Sequence, residues 1–220
     1  MVQPCFESIQ LVAVRAHRLT ATGAVLTGAN NAYQSAAPIQ LQVGFEYENG
    51  ADVTQKNGAG GICLRYRGED KLKNITLTMN LCQLDYQFIE LLTGWTALTD
   101  ISAAVMGISA PAITAANRTG VCLEGWSLAW DGDAQAVVGA NAMYVRHVFP
   151  RVKLNVGNHN VDEGALVIPV EGQGFTNATL ATAKGPASDW PTGITGPWAQ
   201  FFDPSVVVPI CQYLTAPTGS

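Results

Sequence analysis

Charged residues are scarce in this chain. Asp, Glu, Lys and Arg together make up 13% of its 220 residues, against about 25% in an average soluble domain. Hydrophobic residues make up 48%, so a free monomer would leave much apolar surface open to water. Association with identical copies would cover that surface, and the composition therefore favours a subunit of a large homo-assembly over a free monomer.

Basic charge is scarcer than acidic charge. The chain has 12 Lys and Arg residues against 17 Asp and Glu residues, a net charge of -5 and a pI near 5.1. Proteins that hold nucleic acids by their phosphates carry basic patches and a high pI. The charge balance argues against such a protein, but it is compatible with a surface along which DNA slides without sticking.

Long hydrophobic runs and a secretory leader are missing. No apolar stretch reaches the roughly 18 residues that a membrane helix needs. The first residues, MVQPCFESIQLVAVRAHRL, lack the charged start and continuous apolar centre of a signal peptide. We therefore expect a protein without a membrane partner that is made and kept in the cytoplasm.

Metal-binding and disulfide patterns are also missing. The cysteines are odd in number and none forms a C-x-x-C pair, so buried reduced thiols are expected. No histidine has a second His or Cys at ligand spacing, and around His159 a solvated turn with Asp162 and Glu163 is favoured over a cation site. No metal or cofactor is predicted. The cysteines are Cys5, Cys63, Cys82, Cys122 and Cys211, and the histidines are His17, His147 and His159.

The nearest approach to a catalytic motif is GWSLA around Ser127, one residue away from the G-x-S-x-G elbow. That elbow needs a strand that turns sharply into a helix. Here Trp126, Leu128 and Trp130 continue an alternating strand through the serine, so an ordinary strand serine is predicted. No phosphate-binding loop occurs either, and no catalytic residue is proposed.

Alternating apolar residues predict an all-β protein. The length suits one domain over residues 1–220, because no repeat or change of composition divides the chain. Pro150 falls inside one predicted strand and should mark a bulge or an edge, since proline cannot donate a ladder hydrogen bond. The predicted strands outside the hairpin described next cover residues 7–15, 38–48, 120–131, 142–156 and 164–173.

A long hairpin followed by a single helix is the most informative local pattern. Two alternating runs within residues 58–81 flank Gly68, Glu69 and Asp70, which predict the turn. Asp85 then supplies an N-cap for a helix over about 85–93 that ends before Gly94. The helix is short with one apolar stripe, so we expect it to lie on a sheet.

Two longer segments lack a clear pattern. Residues 95–119 are nearly uncharged and too apolar for free disorder, so an arm packed on a neighbouring subunit is expected. Residues 175–220 are rich in Pro and Trp and are predicted to wrap the surface of the sheet.

The predicted hairpin places like charges opposite each other. With the turn at Glu69, Arg65 faces Lys73 and Arg67 faces Lys71, which destabilises a strand pair unless carboxylates intervene. Either Glu69, Asp70 and water screen them at a solvated tip, or the hairpin reaches acidic residues of an adjacent subunit. The candidate subunit-interface residues are Arg65, Arg67, Lys71, Lys73, Glu46, Glu48 and Asp52.

In the order and spacing of these segments, the chain resembles the major tail tube proteins of long-tailed phages, of the type found in actinobacterial phages. The resemblance extends over nearly the whole chain. It is carried by GGICLRYRGEDKLKNITLTMNLCQLDYQFIELLTG, by YVRHVFPRVKL, and by EGALVIPVEGQG followed at a distance by GPASDWP.

The resemblance implies two antiparallel sheets packed as a barrel-like sandwich with one flanking helix. It also implies a virion structural protein, assembled in the host cytoplasm, whose hexameric rings stack into a hollow tube for DNA ejection. Its partners would be further copies of itself and, at the tube ends, the tape measure, terminator and distal tail proteins. DNA would pass through an acidic lumen without specific binding.

A different class of protein is the alternative expectation. A β-sandwich that binds a receptor or a glycan on the virion could stack sugars on tryptophan rings. The alternating positions of Trp126 and Trp130 beside apolar residues favour a place in the core instead. The five tryptophans are Trp95, Trp126, Trp130, Trp190 and Trp198.

Overall fold

Antiparallel β-strands dominate the computed structural model of the protein, as the sequence predicts. The structure describes residues 7–102, 104–111, 120–131, 136–137, 144–159, 167–182, 190, 193–203 and 212–214. Its elements in chain order are β1 Glu7–Arg18, β2 Ala32–Ser35, β3 Pro38–Glu48, β4 Asp52–Lys56, β5 Ile62–Arg67, β6 Lys71–Leu81, α1 Tyr86–Thr93, β7 Thr96–Thr99, β8 Val105–Ser109, β9 Val121–Asp131, β10 Ala136–Val137, β11 Tyr144–Val156, β12 Ile168–Phe175, α2 Ala178–Thr182, β13 Ala199–Asp203 and β14 Gln212–Tyr213.

Ten of the strands form one continuous sheet. Their order is β14-β2-β1-β9-β11-β12-β6-β3, with β10 added to β9 and β13 added to β11. The prediction of two separate sheets is therefore wrong for the described residues. The sheet curls instead, and at Gly125 on β9 an added Cβ would touch Leu41 of β3 at 3.0 Å and Leu11 of β1 at 3.7 Å. Register shifts in β1 between Ser8 and Ala13 accompany this curvature, because bulges bend strands.

The two faces of the sheet bury different cores. On one face, α1 packs over apolar side chains from six strands, including Met79, Leu123 and Phe149, which are all fully buried. On the other face, Leu19, Cys122 and Val148 are covered by α2 and by later residues of the chain. Both faces of the central strands β1, β9 and β11 are therefore buried.

The helix prediction is confirmed at both ends. Asp85 is the N-cap, and its carboxylate accepts hydrogen bonds from the Phe88 amide at 3.2 Å, the Tyr33 hydroxyl at 2.9 Å and the Ser35 hydroxyl at 2.7 Å. Gly94 ends the helix in the left-handed region, with φ of 62°. The carboxylate thus fixes the helix to β2 as well as capping it.

The long hairpin exists, but its turn lies elsewhere. Strand β5 pairs with β4, whereas β6 pairs with β3 on one side and with β12 on the other. The chain therefore turns between β4 and β5, at residues 57–61. Gly68 to Asp70 only separate β5 from β6, which follow one another along the same side of the hairpin. We call residues 38–81 the ribbon. Its register is continuous across the interruption, because Glu48 pairs with Lys71 and Asp52 with Arg67.

The segment predicted as an unpatterned arm contains a second hairpin. Strands β7 and β8 pair in antiparallel fashion between Thr96 and Ser109, and Asp100 shapes their turn by accepting hydrogen bonds from Ser102 and Ala104. Residues 112–119 of the arm lie outside the described residues, and so does much of the C-terminal tail.

The other strand predictions are confirmed within a few residues. At Pro150 the register of β11 on β9 shifts between Phe149 and Val152, as expected for a proline inside a strand. The sequence did not predict α2, which Asn177 caps by accepting a hydrogen bond from the Thr179 amide at 3.2 Å. Among the described residues, no helix is long and apolar enough to cross a membrane.

Candidate assembly surface

The outer half of the ribbon projects from the body of the protein. Every residue of β4 and β5 is exposed, and the two strands pair with each other as a separate small sheet. An isolated two-stranded hairpin is marginally stable in water. This part of the ribbon therefore has little stabilising contact within its own chain.

The turn at the end of the ribbon is built by Asn57. Its side-chain oxygen accepts hydrogen bonds from the amides of Ala59 at 3.1 Å and Gly61 at 2.7 Å. Gly60 has φ of 83°, a conformation that suits glycine. The dipeptide Asn57-Gly58 is a strong hairpin signal, and it could have located this turn from the sequence.

The ribbon changes direction at two glycines that face each other. A Cβ on Gly50 would collide with the main-chain carbonyl of Gly68, so the two arms approach closely where only glycine fits. The Gly68 amide donates to the Ala51 carbonyl at 2.9 Å, and the Gly50 amide donates to the Asp70 carboxylate at 2.9 Å. These bonds hold the outer half of the ribbon in place.

One face of the outer ribbon is apolar. Val53 pairs with Tyr66 across the strands, and Leu64 follows on the same face of β5. The exposed fractions are 48% for Val53, 50% for Leu64 and 60% for Tyr66, and Ile62 near the turn is 61% exposed. The row continues toward the body with the exposed pair Tyr47 and Leu72. Contiguous apolar surface of this kind marks an interaction site.

The opposite face carries charge, but not in the predicted arrangement. Asp52 pairs with Arg67 and Thr54 with Arg65, so neither arginine faces a lysine. The Arg67 guanidinium also lies 3.8 Å from the Asp70 carboxylate. The predicted like-charge pairs Arg65 with Lys73 and Arg67 with Lys71 are therefore wrong, because they rested on the misplaced turn.

The three acidic candidates lie on the same ribbon as the basic ones. Glu48 pairs with Lys71, and Glu46 accepts a hydrogen bond from Asn74 at 3.5 Å. Lys73 lies at a bulge where the register shifts between Glu46 and Tyr47. All seven candidates are thus brought together within one chain. Arg67 and Lys71 have acidic cross-strand partners within the chain, and the place of the seven candidates at a subunit interface stays a prediction.

Charge is nevertheless unevenly distributed along the chain. Residues 50–73 contain five basic and three acidic residues, which gives a net charge of +2, whereas the whole chain carries -5. The remaining residues therefore carry a net charge of -7. Residues 50–73, the outer part of the ribbon, are therefore basic on an otherwise acidic protein.

A buried ionic cluster on β1, β9 and β11 was missed by the sequence analysis. The Arg146 guanidinium donates to the Glu124 carboxylate at 3.0 Å, and both side chains are fully buried. Arg15 approaches the same carboxylate at 3.8 Å. The Arg146 guanidinium also lies 5.3 Å from the ring of Phe201 and 5.9 Å from that of Trp190. These residues are distant in sequence, and only the strand register brings them together.

Two histidines lie beside this cluster. His17 pairs with Cys122 across the strands and is 2% exposed, and neither ring nitrogen has a hydrogen-bond partner among the described residues. Burial lowers the pKa of His17 to about 4, with Arg15 and Arg146 acting in the same direction and Glu124 against it. Burial likewise lowers the pKa of His147. His147 is partly buried.

Ser127 stays within a strand, as predicted. Its hydroxyl lies 3.3 Å from His147 Nε2 and donates to the Val145 carbonyl at 3.3 Å. The serine is 5% exposed and β9 runs straight through it, without the turn into a helix that exposes a nucleophile.

The possible cation site at His159 is only partly described. The His159 ring lies near the Gly157 carbonyl, while Asp162 and Glu163 are outside the described residues.

The described cysteines do not all match the prediction of buried thiols. Cys122 is buried, and burial raises the pKa of its thiol well above the ordinary value. Cys63, on the ribbon, and Cys82, after β6, are exposed. Cys5 and Cys211 lie outside the described residues. Cys63 is exposed because β5 pairs only with β4 among the described strands, whereas the Cys82 thiol donates to the Ala37 carbonyl at 3.2 Å.

Trp126 and Trp190 offer little ring surface for stacking a sugar, and the side chain of Trp130 lies outside what the structure describes. Trp126 is 2% exposed and Trp190 is 7% exposed, so the predicted core position of Trp126 is confirmed. Trp198 is partly covered and meets the ring of Phe45 edge-on at 5.5 Å. The largest exposed apolar features therefore belong to the ribbon and to the β7–β8 hairpin. A scan against protein-family models and a search of curated proteins both found no match to this chain.

Proposed function

We propose that this protein is a structural subunit that assembles with copies of itself through the ribbon, and that the assembly is the tail tube of a long-tailed phage. The observation that carries the proposal is the exposed apolar row Val53, Ile62, Leu64 and Tyr66 on a hairpin that its own chain does not support. Fully burying side chains of this size is worth roughly 1.5–3 kcal/mol each, so covering a half-exposed row stabilises the complex by several kcal/mol.

The partner of the ribbon is a second copy of the same chain. A net charge of +2 on residues 50–73 and of -7 on the rest, taken from the chain total of -5, makes residues 50–73 of one copy complementary to the acidic remainder of another. Two copies of residues 50–73 would repel each other. A contact of ribbon with body is heterologous, and such contacts propagate into closed rings or open filaments.

The proposal of a tail tube rests on a second argument, the resemblance of this chain to tail tube proteins in the order of its segments. In that role the curled sheet would be the barrel-like sandwich, and rings of six copies would stack into a tube. The acidic body would line a lumen through which DNA passes with little friction. The protein would then lie in the virion tail, with the tape measure, terminator and distal tail proteins as partners at the tube ends.

Negative-stain electron microscopy of the purified protein, examined over a range of concentrations, tests the proposal. Rings or hollow tubes are expected. A protein that stays monomeric at every concentration would contradict self-assembly, and filaments without a central channel would contradict the tube while leaving self-assembly intact.

A further inference from the structure

The C-terminal part of the chain crosses the edge of β11 and touches both faces of the sheet. We call Trp190 and residues 193–203 the strap. Its strand β13 pairs with the first half of β11, from Tyr144 to Val148. Trp190 and Ile194 pack on Leu19, Cys122 and Val148 on one face, and Trp198 packs against the core that contains α1 on the other.

Docking of the strap covers charge as well as apolar surface. The rings of Trp190 and Phe201 lie against the Arg146 guanidinium, whose partner Glu124 is also fully buried. Withdrawing such a pair from water is costly, and the mutual attraction offsets that cost only in part. The buried Trp190 indole nitrogen has no hydrogen-bond partner among the described residues. Apolar burial therefore holds the strap against a substantial desolvation cost.

Two histidines lie next to residues that the strap covers. His17 pairs with Cys122, against which Trp190 and Ile194 pack, and both of its ring nitrogens lack hydrogen-bond partners among the described residues. His147 pairs with Gln200 of the strap, and its ring stacks on Trp198 with 6.4 Å between centroids. Neutral imidazoles suit these positions, whereas charged ones would lose their hydration.

We propose that the strap is a reversible clasp that acid releases by protonating the histidines beneath it, His17 and His147. The charged groups facing His17 are Arg15, Glu124 and Arg146. The two arginines repel a proton on His17, and the single carboxylate is already shared between them. Around His147 the neighbours are the Ser127 hydroxyl and the Trp198 ring, so burial alone opposes its charging.

The direction of the pH effect follows from the lowered pKa values. A released strap returns His17 to water, where its pKa is 6.5, against about 4 when it is buried. The released state therefore binds more protons between these values, and docking is fully stable above about pH 6.5 and weakens as the pH falls toward 4. For His17 alone, the release equilibrium rises by roughly two orders of magnitude at pH 4. His147 adds to this in the same direction.

Hydrogen exchange on the full chain tests the clasp. Between pH 7 and pH 4, the amide protection factors of β13 should fall by roughly two orders of magnitude, while those of residues 75–79 in β6 stay unchanged. The double variant His17→Phe, His147→Phe should keep β13 protected, and His159→Gln, which alters an exposed histidine, should behave as the wild type. Protection that persists at pH 4 in the wild type, or that is lost equally in the double variant, would overturn the proposal.

A titration of the wild-type protein gives an answer even if the double variant fails to fold. The NMR signal of the His17 ring should titrate with a midpoint near pH 4. In Trp190→Ala, which removes the main cover from this face, the midpoint should rise toward 6.5 and β13 should lose protection at pH 7. A wild-type His17 that titrates near 6.5 while β13 remains protected would refute the clasp.

Discussion

Gly50 lies against the main-chain carbonyl of Gly68, and this contact sets the point at which the ribbon changes direction. No side chain fits there without moving one arm of the ribbon away from the other. The position of the apolar row relative to the body therefore depends on the contact between Gly50 and the Gly68 carbonyl. A sequence pattern does not distinguish such a contact from an ordinary turn.

The first prediction concerns this contact. Gly50→Ala should lower the free energy of unfolding by about 1–3 kcal/mol, because the added methyl group forces the backbone apart. Gly58→Ala is the matched control, since a Cβ at Gly58 meets nothing within 4 Å. Urea denaturation of both variants measures the difference. Equal free energies of unfolding for the two variants would contradict the close approach of Gly50 to the Gly68 carbonyl.

The second prediction concerns the buried ion pair. Arg146→Met leaves the fully buried Glu124 with only the longer contact to Arg15 at 3.8 Å, so the free energy of unfolding should fall by about 3–5 kcal/mol. Adding Glu124→Gln should recover part of the loss. Arg18→Met, which removes a partly exposed pair with Glu90 at 3.7 Å, should cost about 1 kcal/mol or less.

Chemical denaturation of the four proteins gives these values. A loss for Arg146→Met no larger than that for Arg18→Met would mean that water reaches the cluster. In that case the strap would not seal it.

The third prediction concerns thiol reactivity. In the native unassembled protein, maleimide should modify Cys63 and Cys82 and leave Cys122 unmodified, because Cys122 is buried and its raised pKa suppresses the thiolate. Peptide mapping by mass spectrometry separates the sites. Modification of Cys122 at a rate close to that of Cys63 would contradict its burial.

Local signals explain which parts of the fold were predictable. The helix was found because Asp85 and Gly94 mark its ends within ten residues, and the strands were found because apolar residues alternate along them. The turn of the ribbon was misplaced because the chain has two turn signals there, Gly68-Glu69-Asp70 and Asn57-Gly58. Only the pairing of β6 with β3 decides between them. Pairing is a long-range property that composition does not reveal.

The buried cluster shows the same limit at the level of single side chains. Nothing in the neighbours of Glu124 or Arg146 marks either residue as buried, and charged residues are almost never buried without a partner. They become a pair only because β9 and β11 lie side by side under the strap. Likewise, the pairing of the charged ribbon residues could not be predicted, because it depends on where the chain turns.

Self-assembly through the apolar row is the central claim, and sedimentation velocity of one double variant tests it most directly. Leu64→Ser with Tyr66→Ser removes two large side chains that are 50% and 60% exposed, so folding stability should change little while the assembled fraction falls at least tenfold. Leu26→Ser with Val167→Ser, at positions 36% and 38% exposed and outside the apolar row, should assemble as the wild type does. If the Leu64 and Tyr66 variant assembles as fully as that control, the ribbon is not the contact and the account is wrong.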